Sequence, residues 1–306
     1  MRTLTFHQVL GVGAMGTVYR AALRDQQGIT RDCAVKVIRT SHPDQEQFRG
    51  RMRDEARLLG MLRDEQILGV SELVTVEGHD GVVMEYVEGV DLAELLGCAP
   101  EKGQPRITMP PRALAELGAD LAGTLHRAHS ANNPTTGEPL RVIHRDLKPA
   151  NVMVTAAGEV RLLDFGVARA AFESRESHTQ GLVLGTLNYF PPEILAGAEP
   201  TPAVDLYGLG LSVWECASGA DWGAPQVHRH RFERRVEQRV GELSPDYEPL
   251  TGTIRRLLAW RPQDRPDGAA AERLFAQAVE ACGGPSLAAW ASSVVPPRLA
   301  ARAVPP

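Results

Sequence analysis

One string constrains this chain more than any other: His144-Arg145-Asp146-Leu147-Lys148-Pro149-Ala150-Asn151, followed 13 residues later by Asp164-Phe165-Gly166. Three groups able to ionise or to ligate a metal, Asp146, Asn151 and Asp164, fall in loops beside the short apolar runs Val152–Val154 and Val160–Leu163. Lysine usage sharpens the point. Of 33 basic residues only Lys36, Lys102 and Lys148 are lysine. In so arginine-biased a chain, a retained lysine suggests a position that needs a compact ammonium rather than a planar guanidinium.

A second string lies near the N-terminus, Gly11-Val12-Gly13-Ala14-Met15-Gly16-Thr17-Val18. Glycines let backbone N–H groups come close to phosphate oxygens. A dinucleotide-binding turn carries the same glycines, but it needs a helix after the third one and an acidic residue about 20 positions on. Asp32 sits near that place, yet Thr17-Val18-Tyr19-Arg20 reads as a strand. There is no Gly-Lys-Ser/Thr, which removes the other common phosphate loop. An ordinary glycine-rich hairpin is the plain alternative until the next strand is included. Ala34-Val35-Lys36 puts a lysine under the loop, and Glu55, on a helix expected over 44–62, can hold its ammonium. Taken alone, Glu55 is as ordinary as any solvated helix residue.

Phosphoryl transfer needs a carboxylate to orient a hydroxyl, oxygen ligands for Mg²⁺ and positive charge on the moving phosphate. With these parts in this order, the sequence resembles the eukaryotic-type (Hanks-type) protein kinase family, in its bacterial Ser/Thr branch. The motifs run from Gly11 to Arg265. The resemblance implies an α+β bilobal fold with a small β-rich N-lobe and a larger, mainly helical C-lobe. It implies that Gly11, Val12, Gly13, Ala14 and Gly16 cover the phosphates of ATP, while Leu10, Val18, Ala34 and Met153 enclose the adenine. Met84 takes the gatekeeper place, and Glu85-Tyr86-Val87 the hinge, whose Glu85 and Val87 backbone groups reach the base. Asp91 is left between touching the ribose and capping a helix. Lys36 pairs with Glu55. Asp146 is the catalytic carboxylate, Lys148 steadies the γ-phosphate, and Asn151 and Asp164 hold Mg²⁺, or Mn²⁺ in its place.

The resemblance further implies a protein substrate with a Ser or Thr acceptor, from Lys148 two positions past Asp146 and from Gly185-Thr186-Leu187-Asn188-Tyr189. It also allows self-association for autophosphorylation. Pro191-Pro192-Glu193 stands where the family has Ala-Pro-Glu, leaving Glu193 to pair with Arg265. Asp205 is expected to bond the catalytic-loop backbone. Arg145 beside Asp146 suggests a phosphate acceptor in the segment after Asp164, with Thr179 ranked before Ser177 and Ser174, and Arg169 as a second cation. A nucleotide-binding scaffold without catalysis and a small-molecule kinase are the alternatives. The first would ordinarily have lost one of Lys36, Asp146, Asn151 or Asp164; the second is disfavoured by the complete segment from Asp164 to Glu193.

Composition bounds the rest. At roughly 100–200 residues per domain, 306 residues make two packing units. With 43% hydrophobic and 23% charged residues the chain can bury a core. A net charge of −5 argues against a nucleic-acid partner. Cys33, Cys98, Cys216 and Cys282 are too far apart for a zinc site, and fit a reducing cytoplasm as small buried hydrophobes. No signal-like run opens the chain, and the charge-free stretch Ala281–Pro297 carries three prolines, so no membrane helix is expected.

The expected organisation is an N-lobe over 1–88, a C-lobe over 89–282 and a loosely held Pro-rich tail over 283–306. Strands are expected at Val9–Leu10, Thr17–Ala22, Cys33–Ile38 and Val142–Ile143, and a hairpin turning at Gly78-His79-Asp80-Gly81. Helices are expected from Pro110-Pro111 with Thr108 as cap, and over Val204–Ala217, Val227–Val240, Leu250–Trp260 and Gly268–Ala281. The polar stretch Asn132–Leu140 reads as a surface excursion and His228–Arg235 as a solvated helix face.

Overall fold

The computed structural model describes residues 2–13, 16–38, 60–62, 64–97, 107–165 and 187–302. The chain divides into two compact units, one from residues 1–63, 67–87 and 165–182, the other from 64–66, 88–164 and 183–306.

The first unit is a five-stranded antiparallel sheet in the order β1-β2-β3-β5-β4. Its strands are β1 (Thr3–Gly13), β2 (Gly16–Arg24), β3 (Thr30–Ile38), β4 (Val70–Val76) and β5 (His79–Glu85). Side chains alternate across a sheet, so one register decides two faces. Val18 lies opposite Lys36, which lies opposite Val82; Ala34 lies opposite Met84. Ala34, Ile38, Val82 and Met84 therefore form one apolar cluster, joined by Leu10 and Val18, while Cys33, Val35, Ala21 and Val83 form another. The turn between β4 and β5 departs from expectation. It is Glu77-Gly78, both at positive φ (50° and 84°), and Asp80 and Gly81 are already paired within β5. Two successive positive φ values suit the right-handed twist of a two-residue hairpin, and glycine supplies the second at little strain.

The second unit is mainly helical. β6 (Gly89–Asp91), β7 (Val152–Thr155) and β8 (Val160–Leu162) make a small antiparallel sheet. Around it stand α1 (Leu92–Leu95), α2 (Pro111–His129), α3 (Pro192–Leu195) and α4 (Ala203–Ser218). Then come α5 (Arg229–Gly241), α6 (Glu248–Leu257), α7 (Gly268–Ala281) and α8 (Leu287–Arg302). α4 is largely apolar and buried from Val204 to Ala217, packed against α2 and α6. A helix apolar over most of its surface belongs inside, and its buried Asp205, Ser212 and Glu215 each have hydrogen-bond partners. It stops where Gly219 takes φ 66° and returns its N–H to the Glu215 carbonyl.

Three expectations are corrected here. Thr108 does not cap α2: Pro110 holds the cap position, without a side-chain bond. Val142–Ile143 form no strand, because the next N–H groups, those of His144 and Arg145, go to the Asp205 carboxylate instead of a ladder. The described part of the tail, as far as Arg302, is not loosely held. Leu287, Trp290, Ala291 and Val295, spaced i, i+3, i+4 and i+8, bury one face of α8, while Pro296 and Pro297 point outward. The two prolines remove two helix donors, and the buried stripe outweighs that loss.

The expected surface features are as read. Residues 131–140 close on themselves through Asn133 N–H to the Glu138 carbonyl and Leu140 N–H to the Ala131 carbonyl, largely exposed. α5 buries only Phe232, Val236 and Val240. Cys33, Cys216 and Cys282 are buried free thiols, and burial pushes the Cys33 and Cys282 thiols up from their ordinary value. Among the described residues no helix is long and apolar enough to cross a membrane. Residues 44–59 of the expected helix, with Glu55, as well as Ala14, Cys98, and residues 166–186 with Ser174, Ser177 and Thr179, lie outside the described residues.

Candidate active site

In the second unit the loop between α2 and β7 is built around one buried carboxylate, that of Asp205. Asp205, on the first turn of α4, accepts the N–H of His144 (2.8 Å) and of Arg145 (2.7 Å) and contacts His129 Nε2 (2.8 Å). An anion in the first turn of a helix is favoured by the helix dipole, and here it also satisfies two N–H groups that no strand takes. His144, fully buried, ties the loop to β8. Its Nε2 donates to the Leu163 carbonyl (2.8 Å) and its Nδ1 accepts the Asp146 N–H (3.2 Å), partners that select one tautomer. Arg145 sits at φ 69°, a left-handed conformation that non-glycine residues rarely adopt, and this double anchorage holds it there.

Asp146 is 9% exposed. Its carboxylate accepts Lys148 Nζ at 3.0 and 2.8 Å and Asn151 Nδ2 at 3.0 Å. Asn151 Nδ2 also donates to the Asp146 carbonyl (2.7 Å), so both its donor bonds point back along the loop and Oδ1 is its remaining acceptor face. The Leu163 N–H bonds the Asn151 carbonyl (2.8 Å), which sets Asp164, the next residue but at φ 54°, beside Asn151 at the ends of β7 and β8. The donor set is two hard oxygens, an amide and a carboxylate. That suits a divalent cation keeping several waters and phosphate oxygens, as Mg²⁺ does.

In the first unit Leu10, Val18, Ala34 and Met84 share one cluster, with Lys36, 7% exposed, on the same face of the sheet. Gly16 is required by packing: a Cβ there would stand 2.1 Å from the Val37 carbonyl oxygen. Gly11 and Gly13 are different. A Cβ at Gly11 would meet nothing within 4 Å, and one at Gly13 only the Gly16 carbonyl at 3.8 Å. Nothing described in the chain demands glycine there, which leaves room for an outside group against the backbone. Val12 is the most exposed large hydrophobic residue of the described chain (67%). Glu85 ends β5 and Met153 lies mid-β7, half-buried and opposite Asp91. Asp91 caps α1, its Oδ1 accepting the Glu94 N–H at 2.9 Å, so the capping alternative is realised.

Two further pairs brace the site. Arg265, its side chain fully buried, forks onto Glu193 at 2.6 and 2.8 Å and lies over the Tyr207 ring. Tyr189 donates to Glu215, which also accepts the Trp222 N–H (2.9 Å). Sequence reasoning missed His129 and the Tyr189–Glu215 pair. A histidine in a basic last helical turn looks like a dipole complement, and only the fold brings it to Asp205, 76 residues away.

A sheet-bearing unit with a glycine loop and a buried lysine, and a helical unit with a braced Asp-Lys-Asn loop, define a phosphotransferase of the protein kinase class. The protein kinase domain family model matches residues 4–277, and the chain belongs to that family. Family membership brings use of ATP and a divalent metal in general. The chain is 33% identical to the tyrosine-protein kinase MasK of Myxococcus xanthus, over 89% of this chain and 41% of that protein. It is 36% identical to the serine/threonine-protein kinase PknD of Mycobacterium tuberculosis, over 79% and 33%. It is 32% identical to PknB of Mycobacterium leprae, over 87% and 41%. The chain thus spans less than half the length of these curated relatives. Among solved structures it is similar to the Mycobacterium tuberculosis PknI kinase domain, at TM-score 0.64 and 25% identity, over 90% of this chain and 94% of that one.

Proposed function

We propose that this chain transfers the γ-phosphate of ATP to Ser or Thr hydroxyls of protein substrates, its own chain among them. The observation that carries the reading is the Asp146–Lys148–Asn151 network on a loop locked by Asp205 and His144. Asp146 orients the acceptor hydroxyl and takes its proton as the new O–P bond forms and the bond from the γ-phosphorus to the bridging oxygen breaks, releasing ADP. Lys148, already beside Asp146, carries positive charge to the transferring phosphoryl group. Asn151 Oδ1 and the Asp164 carboxylate would hold Mg²⁺, or Mn²⁺, which when bound neutralises phosphate charge. Lys36 serves the phosphates from the sheet, under Gly11–Gly16, and pairs with Glu55; Leu10, Val18, Ala34 and Met153 receive the base, with the Glu85 and Val87 backbone.

Purified chain incubated with labelled Mg-ATP and a general protein substrate is expected to transfer label, and an Asp146→Asn chain is expected not to. Equal transfer by both would remove the assignment. Excess EDTA is expected to stop transfer, and Mg²⁺ or Mn²⁺ to restore it. A tyrosine acceptor is the second reading, prompted by the similarity to the tyrosine-protein kinase MasK. Phosphoamino-acid analysis separates the two: phosphotyrosine alone would overturn the Ser/Thr assignment. Mass mapping of the incubated protein is expected to find phosphate on Thr179 or Ser177. We place the enzyme in the cytoplasm, on its composition and buried thiols.

A further inference from the structure

α8 lies beyond residues 4–277, the span the family model matches, yet it is fastened at both ends to the unit that carries the Asp146 loop. At its start the Leu287 N–H donates to Glu116 on α2 (2.6 Å). There too it presses on the β7–β8 turn so closely that a Cβ on Gly158 would stand 2.6 Å from the Ala288 Cα. Its inner face crosses α2, β6 and β7.

At its far end the helix reaches β6. The Arg302 guanidinium donates to the Gly89 carbonyl (3.2 Å) and pairs with the Glu94 carboxylate, with the two side chains 23% and 20% exposed. Gly89 opens β6 and rests directly on β7. A Cβ there would come within 2.8 Å of both Met153 Cγ and the Val154 carbonyl. β6 then sets Asp91 opposite Met153, and Asp91 caps α1 through the N–H of Glu94, the residue Arg302 holds. One arginine therefore grips both ends of the short segment that lies against Met153: the strand through a main-chain oxygen, the following helix through a carboxylate.

We infer that α8 is a latch and Arg302 a positioning residue for adenine nucleotide, setting the Gly89–Asp91 strand against Met153 without touching the ligand. The inference rests on the reading of Met153 as part of the adenine site. A charge-assisted contact of this kind, felt through a neighbouring strand, corresponds to about a three- to tenfold change in affinity. The grip needs two donors in a fork, so lysine can restore only part of it.

The experiment uses the full chain and its variants R302Q and R302K. Mg-ATP affinity is measured by calorimetric titration, with KM for ATP and kcat from turnover and hydrogen exchange of the 89–94 amides. For R302Q we expect an ATP affinity and KM poorer by about three- to tenfold, kcat changed by less than about twofold, and faster exchange confined to 89–94. R302K is expected to fall between R302Q and the parent. R302Q that melts earlier but binds Mg-ATP as the parent does would make the contact merely structural and overturn the inference. A loss in kcat with KM unchanged would overturn it as well. A parent chain that binds no Mg-ATP would sink the adenine-site reading and this inference together, a result distinct from equal binding by both chains.

Discussion

At the scale of single residues, the side chains that matter are held by more than one partner. Asp146 has Lys148 and Asn151 on its carboxylate and His144 on its N–H. An Asp146→Asn change keeps the shape and removes the basic oxygen, so nucleotide affinity is expected to hold while turnover falls by about 10²–10⁴-fold, read by titration against steady-state rates. Arg265 and Glu193 make a different case, since neither is assigned to substrate. Arg265 also donates to the Ala259 and Ala203 carbonyls. Removing it strands a largely buried carboxylate, and Arg265→Met is expected to cost about 3–5 kcal/mol in denaturant unfolding. This pair was legible in the sequence, because both residues sit in recognisable strings. The forked geometry and the Tyr207 ring beneath it were not.

At the scale of elements, local pattern and close packing decided different things. Gly268–Ala281 was legible to the residue, because Asp267 supplies a cap whose Oδ1 takes the Ala270 N–H and Cys282 ends the run. α2 was legible in its leucine stripe and in its start at Pro110-Pro111, but not in its cap. The glycines within helices carry the clearest test. A Cβ on Gly118 would lie 2.6 Å from the Phe275 ring of α7, so Gly118→Ala is expected to destabilise by about 1–3 kcal/mol. Gly252 on α6 has nothing within 4 Å, and Gly252→Ala is expected to stabilise by up to about 1 kcal/mol. Thermal melts of the two variants should move in opposite directions. The proline-rich end of the chain misled the sequence reading for the converse reason. Proline content argues against a helix locally, whereas the stripe from Leu287 to Val295 gains its stability from a surface formed by distant residues.

At the scale of the whole molecule, Asp64 to Gln66 show how tertiary contacts enter stability. These residues belong to the second unit, where Arg127 donates to Asp64 (2.5 Å) and Gln66 (2.6 Å), and the Leu162 N–H bonds the Gln66 carbonyl (2.7 Å). Burial alone would raise the Asp64 carboxyl, but the bonds from Arg127 and from the Gln66 N–H outweigh it and hold it below its ordinary value of 3.8. A carboxyl lowered on folding contributes stability that is complete above the unfolded value and lost as the pH falls through the folded one. Stability is therefore expected to drop as acid is added below about pH 4, and less steeply in Asp64→Asn, by denaturant titrations at several pH values. Asp91 works in the other sense. Burial raises it against the opposing Glu94 N–H bond, so its own contribution weakens as pH rises through its folded value.

What the sequence determined by itself is what adjacency can encode. The order of motifs, the lysine-poor background that makes Lys36 and Lys148 conspicuous, the periods of the longer helices and the chemistry of Asp146, Asn151 and Asp164 all lie in short windows. Tertiary structure alone decided which groups distant in the chain answer one another. Asp205 meets His129, Asp64 meets Arg127, and Arg302 meets Gly89 across 213 residues. Buried hydrogen-bonding groups must find partners, but their local pattern does not say where, because the partner is set by which surfaces pack rather than by which residues are neighbours in the chain.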